Sequence, residues 1–188
     1  MWVHMARGQP LSFDPIAEAA RNWRAAGWDG AATGMAFVTS IMRTHQILLA
    51  QVDAVLGPMG LSFARFEVLM LLDFSRNGRL PLGKIGQRLQ VHPASVTNAI
   101  DRLEDDGLVE RVPHPTDGRT TLATITRPGR NLARRAARAL NQSVFGQLDL
   151  DRTQIDEAVG ALTSLRRNAG DFCTTPEHRS TGCPPVDR

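Results

Sequence analysis

The chain has 188 residues, 42% of them hydrophobic, with a formal net charge of +3 and a sequence pI of about 9.6. That length and apolar content exclude a disordered chain and support one domain with a sizeable core. No apolar run approaches the ~18–20 residues that would cross a bilayer.

The cations are arginine throughout except for Lys84. Arginine suits planar, bidentate contacts to phosphate and guanine, so the mild positive balance is compatible with a nucleic-acid partner. The N-terminus, "MWVHMARGQPLSFDP", has no signal-peptide core, and a cytoplasmic location is expected.

Residues 1–34 read as a loose arm and a short helix. Asp14-Pro15 is a good helix entry, with Asp as N-cap and Pro as first helical residue. Ile16, Ala19, Ala20 and Trp23 share one face, and Gly27 ends the helix. Residues 35–56 carry a longer 3.6-residue period through Val38, Ile41, Met42, His45, Leu48, Leu49, Val52, Val55 and Leu56. With "GPMG" to 60, this is a dimerisation or linking helix. Residues 63–75, "FARFEVLMLLDFS", are apolar on nearly every side and belong in the middle of a domain. "RNGRLP" reads as a break.

Two short helices follow. Residues 82–89 bury Leu82, Ile85 and Leu89. Gln90 to His92 turn the chain, and Pro93–Asp106 form the second helix on a stripe of Val96, Ile100 and Leu103, capped by Gly107. "LVERV" (108–112) and "TTLATIT" (120–126) are β-rich and face each other across "PHPTDGR", a hairpin tip. The predicted fold is mainly α with a small β-hairpin wing: a winged helix-turn-helix over 61–126, flanked by dimerisation helices.

Thr126 is placed to cap a helix over 127–148 with Leu132, Ala136, Leu140 and Val144 on one stripe. Asp151 is placed to cap 152–169, with Ile155, Val159, Leu162 and Leu165 on another. These segments make 127–172 a C-terminal dimerisation region. Residues 173–188 are rich in Thr, Pro and Gly and predict a disordered tail. Cys173, His178 and Cys183 lie there, but three ligands with no fourth do not complete a zinc site, and no metal or cofactor is expected. A disulfide is not expected in a reducing cytoplasm.

The outer face of 93–106 is covered by Ser95, Thr97, Asn98 and Arg102, which contribute little to holding a fold together. They suit a helix entering the major groove. Short side chains let the backbone approach the bases, Asn98 can pair bidentately with adenine, and the N-terminal dipole favours phosphate. Pro93 and Ala94 open that helix. Lys84 and Arg88 on the first helix are candidate phosphate contacts. On the hairpin, Arg111, Asp117, Gly118 and Arg119 are candidates, and an arginine at the tip suits the narrow, negative minor groove. Asp117 either orients an arginine or starts the turn.

The run "LGKIGQRLQVHPASVTNAIDRLEDDGLVERVPHPTDGRTTLATIT" resembles the DNA-binding core of the MarR (multiple antibiotic resistance regulator) family. The resemblance rests on Ser95-Val96-Thr97, on "DRLEDDGLVER" at 101–111, on Asp117-x-Arg119 and on the Thr126-x-x-Gly129 step. The helix order over 35–170 fits as well. It implies that Arg119 is a minor-groove arginine and that Ser95, Thr97 and Asn98 lie at or near the bases. Many family members carry arginine where this chain has Asn98, which leans the base preference toward adenine.

The stripes on 35–56, 127–148 and 152–169 exceed what one small winged helix can bury, so a C2 homodimer is expected, as the resemblance also implies. The resemblance further implies a small phenolic or aromatic carboxylate effector. Met42, Arg43, His45, Arg65, Phe66 and Met70 are the candidate crevice residues, while His45 reads more readily as a core or interface histidine bonded to a backbone carbonyl. A double-stranded DNA partner, no membrane and no enzymatic activity are expected: there is no Gly-rich phosphate loop and no Ser/His/Asp set at persuasive spacing. A DNA-binding dimer without a small-molecule effector, architectural or partnered with another protein, remains the alternative.

Overall fold

The computed structural model describes residues 10–89 and 92–172. The expectations for the first nine residues, for Gln90 and Val91 in the turn, and for the tail with Cys173, His178 and Cys183 lie outside the described residues. Described residues up to Gln147 belong to one compact unit and those from Leu148 to a second.

Helix α1 (Pro15–Ala25) starts where predicted: Asp14 accepts the Ile16 N–H at 2.9 Å, and Gly27 follows at φ +83°. Helix α2 (Asp29–Leu56) begins six residues before its expected start at 35. "DGAATG" looks like a linker, yet Ala32 is fully buried, and α1 packs along α2. The small Ala20 and Ala32 bring the two helices close, and that packing overrides the low helix propensity of Gly30 and Gly34. Trp23 and Trp28 meet edge to face at 5.1 Å across the turn between them.

Gly57–Met59 form a 3-10 turn, and Ser62 caps α3 (Phe63–Asp73) by accepting the Arg65 N–H. Phe66, Val68, Leu69 and Leu72 make α3 the centre of the core, as its all-round apolar sequence requires. No single described helix is long and apolar enough to cross a membrane.

The expected break at "RNGRLP" instead contains a strand, β1 (Arg79–Pro81), followed directly by α4 (Leu82–Leu89) and α5 (Pro93–Asp105). β2 (Val109–Pro113) and β3 (Thr121–Ile125) form the predicted hairpin. β1 adds to the other side of β3, giving a three-stranded antiparallel sheet in the order β1-β3-β2. Arg79 and Glu110 are both opposite Thr124. β1 is an edge strand, which is why Pro81 is tolerated in it.

Helix α6 covers Arg127–Leu140, shorter than the predicted 127–148. Asn141–Phe145 continue as a π-helical turn. Its closing bond runs from the Gly146 N–H to the Asn141 carbonyl at 3.0 Å, and a Cβ at 146 would stand 2.7 Å from that oxygen. Only glycine allows this wider closure without displacement, and an uninterrupted α-helix cannot accommodate it. In the second unit, α7 (Arg152–Asn168) carries the full capping box of Asp151 and Gln154. Its apolar stripe is exposed in the single chain: Val159 56%, Leu162 39%, Leu165 49%.

Candidate nucleic-acid interface

The recognition-helix candidate, α5, is held from one side only. Val96, Ile100 and Leu103 are 0–3% exposed and join the core with Ile85 of α4 and Leu69 and Leu72 of α3. Each such side chain contributes about 1.5–3 kcal/mol, enough to fix the helix without help from its outer face. That outer face is exposed at Ala94, Ser95, Thr97, Asn98 and Arg102. His92 caps the N-terminus by accepting the Ala94 N–H on Nδ1 at 3.2 Å.

Charge is divided along α5. Residues 93–100 contain no acid, while Asp101, Glu104, Asp105 and Asp106 crowd the C-terminal end. Four carboxylates there oppose the negative end of the helix dipole. Two arginines from elsewhere answer three of them. Arg65 on α3 reaches Asp106 at 3.4 Å. Arg111 on β2 pairs with both Asp101 and Glu104.

Arg111, expected at the DNA, is therefore committed to α5 and joins the hairpin to it. The three-residue step from 101 to 104 puts both carboxylates on one side of the helix, where one guanidinium meets both. The Arg111 N–H also donates to Glu104 at 3.0 Å. These bonds to Arg111, the backbone one first, hold the Glu104 carboxyl below the usual carboxylate range.

At the wing tip, Asp117 starts the turn. Its Oδ1 accepts the Arg119 N–H at 3.1 Å, its Oδ2 accepts the Thr120 hydroxyl at 2.6 Å, and the Thr120 N–H returns to its carbonyl at 3.0 Å. The Thr120 hydroxyl first, and then the Arg119 N–H and nearby His114, lower its pKa. His114 supports the same turn, its Nδ1 accepting the N–H groups of Thr116 and Asp117 at 3.3 and 3.2 Å. Of the two roles open to Asp117, the bonds to backbone and hydroxyl are those of a turn former. Gly118 and the Arg119 side chain are exposed at the tip.

On α4, Arg88 is exposed and Lys84 half-buried. An open groove of about 560 Å³ runs between the start of α3, at Ser62, Ala64 and Arg65, and the outer face of α5, at Ser95, Asn98 and Arg102. Ser62 is an addition that the sequence did not signal, because nothing local ties residue 62 to residues 95–102.

The candidate effector residues differ in exposure within one chain. His45, expected on an inner stripe, is exposed, as are Arg43 and Met42 (62%). This part of α2 lies beyond the stretch that buries Val52 and Leu56. Phe66 is buried in the core with Met70 packed against it, and Arg65 is turned to Asp106.

A family model described as MarR family matches residues 61–121. The HTH-type transcriptional repressor Rv2887 of Mycobacterium tuberculosis is 32% identical over 111 residues, 57% of this chain and 78% of that protein. Among solved structures, Sco5413, a MarR family transcriptional regulator from Streptomyces coelicolor, is 51% identical. That match covers 76% of this chain and 99% of the other, with a TM-score of 0.69. The chain belongs to the MarR family. As a MarR-family protein it is a transcriptional regulator of the helix-turn-helix type, from a family of regulators and not of enzymes. A mutant MarR from E. coli, solved in complex with operator DNA, shares the fold at 22% identity and a TM-score of 0.63 over 68% of this chain and 91% of that one.

Proposed function

We propose that this MarR-family regulator binds a pseudo-palindromic duplex as a homodimer and acts as a repressor. Residues 61–126 serve as its DNA-binding region, and the flanking 35–60 and 127–172 serve dimerisation. The observation that carries the reading is the polarity of α5. The outer face of its N-terminal half is acid-free, exposed and clad in Ala94, Ser95, Thr97 and Asn98, while three of the four acids at its other end are answered by arginines of the same chain. A helix end of that kind fits a major groove about 12 Å wide. The tip carrying Gly118 and Arg119 is suited to the adjoining minor groove.

Dimerisation is supported by apolar surface that the single chain leaves open. Phe37, Val38 and Met42 on α2 are 43–62% exposed, and α7 exposes its own stripe. The repressor name of the Mycobacterium relative supports the sign of regulation. Two α5 helices related by a twofold axis read half-sites about 10 bp apart.

The test is sedimentation of the purified chain, followed by titration with duplexes recovered from its own upstream DNA at two salt concentrations. A dimer whose affinity falls steeply with salt is expected. A monomer, or no binding to duplex at low ionic strength, overturns the reading.

A further inference from the structure

Asn98 and Arg102 sit one turn apart on the outer face of α5, and they are bonded to each other. The Arg102 Nε–H donates to Asn98 Oδ1 at 3.1 Å. We propose that Arg102 is a positioning residue for sequence reading, locking the Asn98 carboxamide so that it presents an adenine-specific edge. The proposal rests on the reading of Asn98 as a base-contacting residue and extends it to a second side chain.

A carboxamide is nearly symmetric in shape, with an acceptor at one end and two donors at the other. A free Asn on an exposed helix face turns either end outward. Its preference among bases is then diluted by the orientation that does not match. Arginine carries donors only, so it can bind the oxygen end and never the nitrogen end. With Nε–H on Oδ1, the Nδ2 group is turned away from Arg102. One Oδ1 lone pair stays open beside it.

That leaves one donor and one acceptor side by side. Adenine offers the complement, N7 as acceptor and N6–H as donor, whereas guanine offers two acceptors. The locked amide therefore matches adenine at both points and guanine at one. Arg65, across the groove, is engaged by Asp106 at 3.4 Å, which leaves Arg102 as the cation bonded to Asn98. The outer guanidinium nitrogens of Arg102 stay available for phosphate, so one side chain anchors the backbone and sets the amide.

The experiment selects randomised duplexes in parallel against the full-length wild type, Asn98→Ala, Arg102→Met and the double variant. Base preference and overall affinity are both read. Both side chains are exposed, and matched circular-dichroism melts confirm that the variants fold. The expected result is an adenine preference at one symmetric base pair that Asn98→Ala reduces about tenfold or more. Arg102→Met reduces the same preference, at the same base pair, and the double variant goes no further. Arg102→Met also lowers affinity evenly across all sequences through its lost phosphate contact. Should Arg102→Met give only that even loss, or relax a different base pair, the positioning role is overturned while Asn98 keeps its own. Should Asn98→Ala leave every preference intact, the reading of Asn98 falls and takes the proposal with it.

Discussion

Arg111 and Glu104 are joined twice. The Arg111 N–H donates to Glu104 Oε1 at 3.0 Å, and the Arg111 guanidinium binds the other carboxylate oxygen. One bond holds the β2 backbone and the other the side chain, so the wing strand is registered against α5. On the proposed reading of the site, the elements assigned to the major and the minor groove are thereby held at one spacing. Arg111→Ala keeps the core residues Val96, Ile100 and Leu103 in place but releases that registration. The expected outcome is a several-fold loss of operator affinity with little change in far-ultraviolet circular dichroism. Equal affinity for wild type and variant at low and high salt would show that the spacing is set elsewhere.

The same pair gives a pH dependence with a definite sign. Glu104 is depressed from its ordinary value of 4.5, chiefly by the Arg111 N–H and then by its guanidinium. A carboxyl with a lowered folded pKa contributes stability above its unfolded pKa and loses it as pH falls through the folded one. The contribution is therefore intact at neutral pH, begins to fade below 4.5, and is gone in stronger acid. Thermal melts of wild type and Glu104→Gln should differ at pH 7 and converge as the pH is lowered through that window. A difference that widens in acid contradicts the assignment.

Asp73, at the end of α3, has a side chain only 3% exposed and takes ion pairs from Arg130 and Arg134 of α6. These pairs add a charged contact between α3 and α6 to the apolar packing that the two helices share in the core. Asp73→Ala strands two arginines, but these are 36% and 56% exposed and keep some hydration. The cost is then about 1–3 kcal/mol, below the full penalty of breaking a buried pair. Chemical denaturation of the variant at neutral pH measures it directly.

Gly129 meets a harder limit. A Cβ there would lie 2.1 Å from the carbonyl oxygen of Leu108 and 3.1 Å from Ile125. The obstacle is backbone, which cannot rotate aside as a side chain would. It lies where Thr126 caps α6 and donates its hydroxyl to the Gly107 carbonyl at 2.9 Å. Gly129→Ala must therefore push α6 away from the hairpin and is expected to destabilise by about 3 kcal/mol or more. A melt unchanged from wild type would mean that the helix start shifts freely.

These contacts show what the sequence makes legible. Val96, Ile100 and Leu103 declare α5 because a buried stripe repeats every turn, and Pro115, Asp117 and Gly118 declare the hairpin tip through turn chemistry. The strand Arg79–Pro81 escapes such reading: three residues ending in proline form a strand only because β3 lies alongside to pair with them. The start of α2 escapes it because Ala32 is buried by α1, a tertiary effect that outweighs two glycines. The site divides in the same way. The outer face of α5 is visible as a local pattern, whereas Arg65 and Asp106 are 41 residues apart and meet only in the folded chain.

Asp117 and Arg119 set two physical effects against each other. Arg119 projects from the wing tip, and Arg119→Ala should weaken operator binding about tenfold or more, chiefly where A/T-rich flanks narrow the minor groove. Asp117 carries a negative charge at that same tip, its pKa lowered further by the Thr120 hydroxyl and the Arg119 N–H. Long-range electrostatics alone predicts that Asp117→Ala tightens binding, since it removes repulsion from phosphate. The geometry predicts the reverse. Without the carboxylate, the Arg119 N–H and the Thr120 hydroxyl lose their acceptor, and the turn that presents the Arg119 side chain loosens. The bonds are short-range and the repulsion is screened within about 8–10 Å at physiological salt, so the loss of geometry should win. Fluorescence anisotropy with one operator duplex at about 0.15 M salt decides between them: Asp117→Ala should bind more weakly than wild type, and combining it with Arg119→Ala should cost little beyond Arg119→Ala alone. Tighter binding by Asp117→Ala would place the Arg119 side chain outside the minor groove.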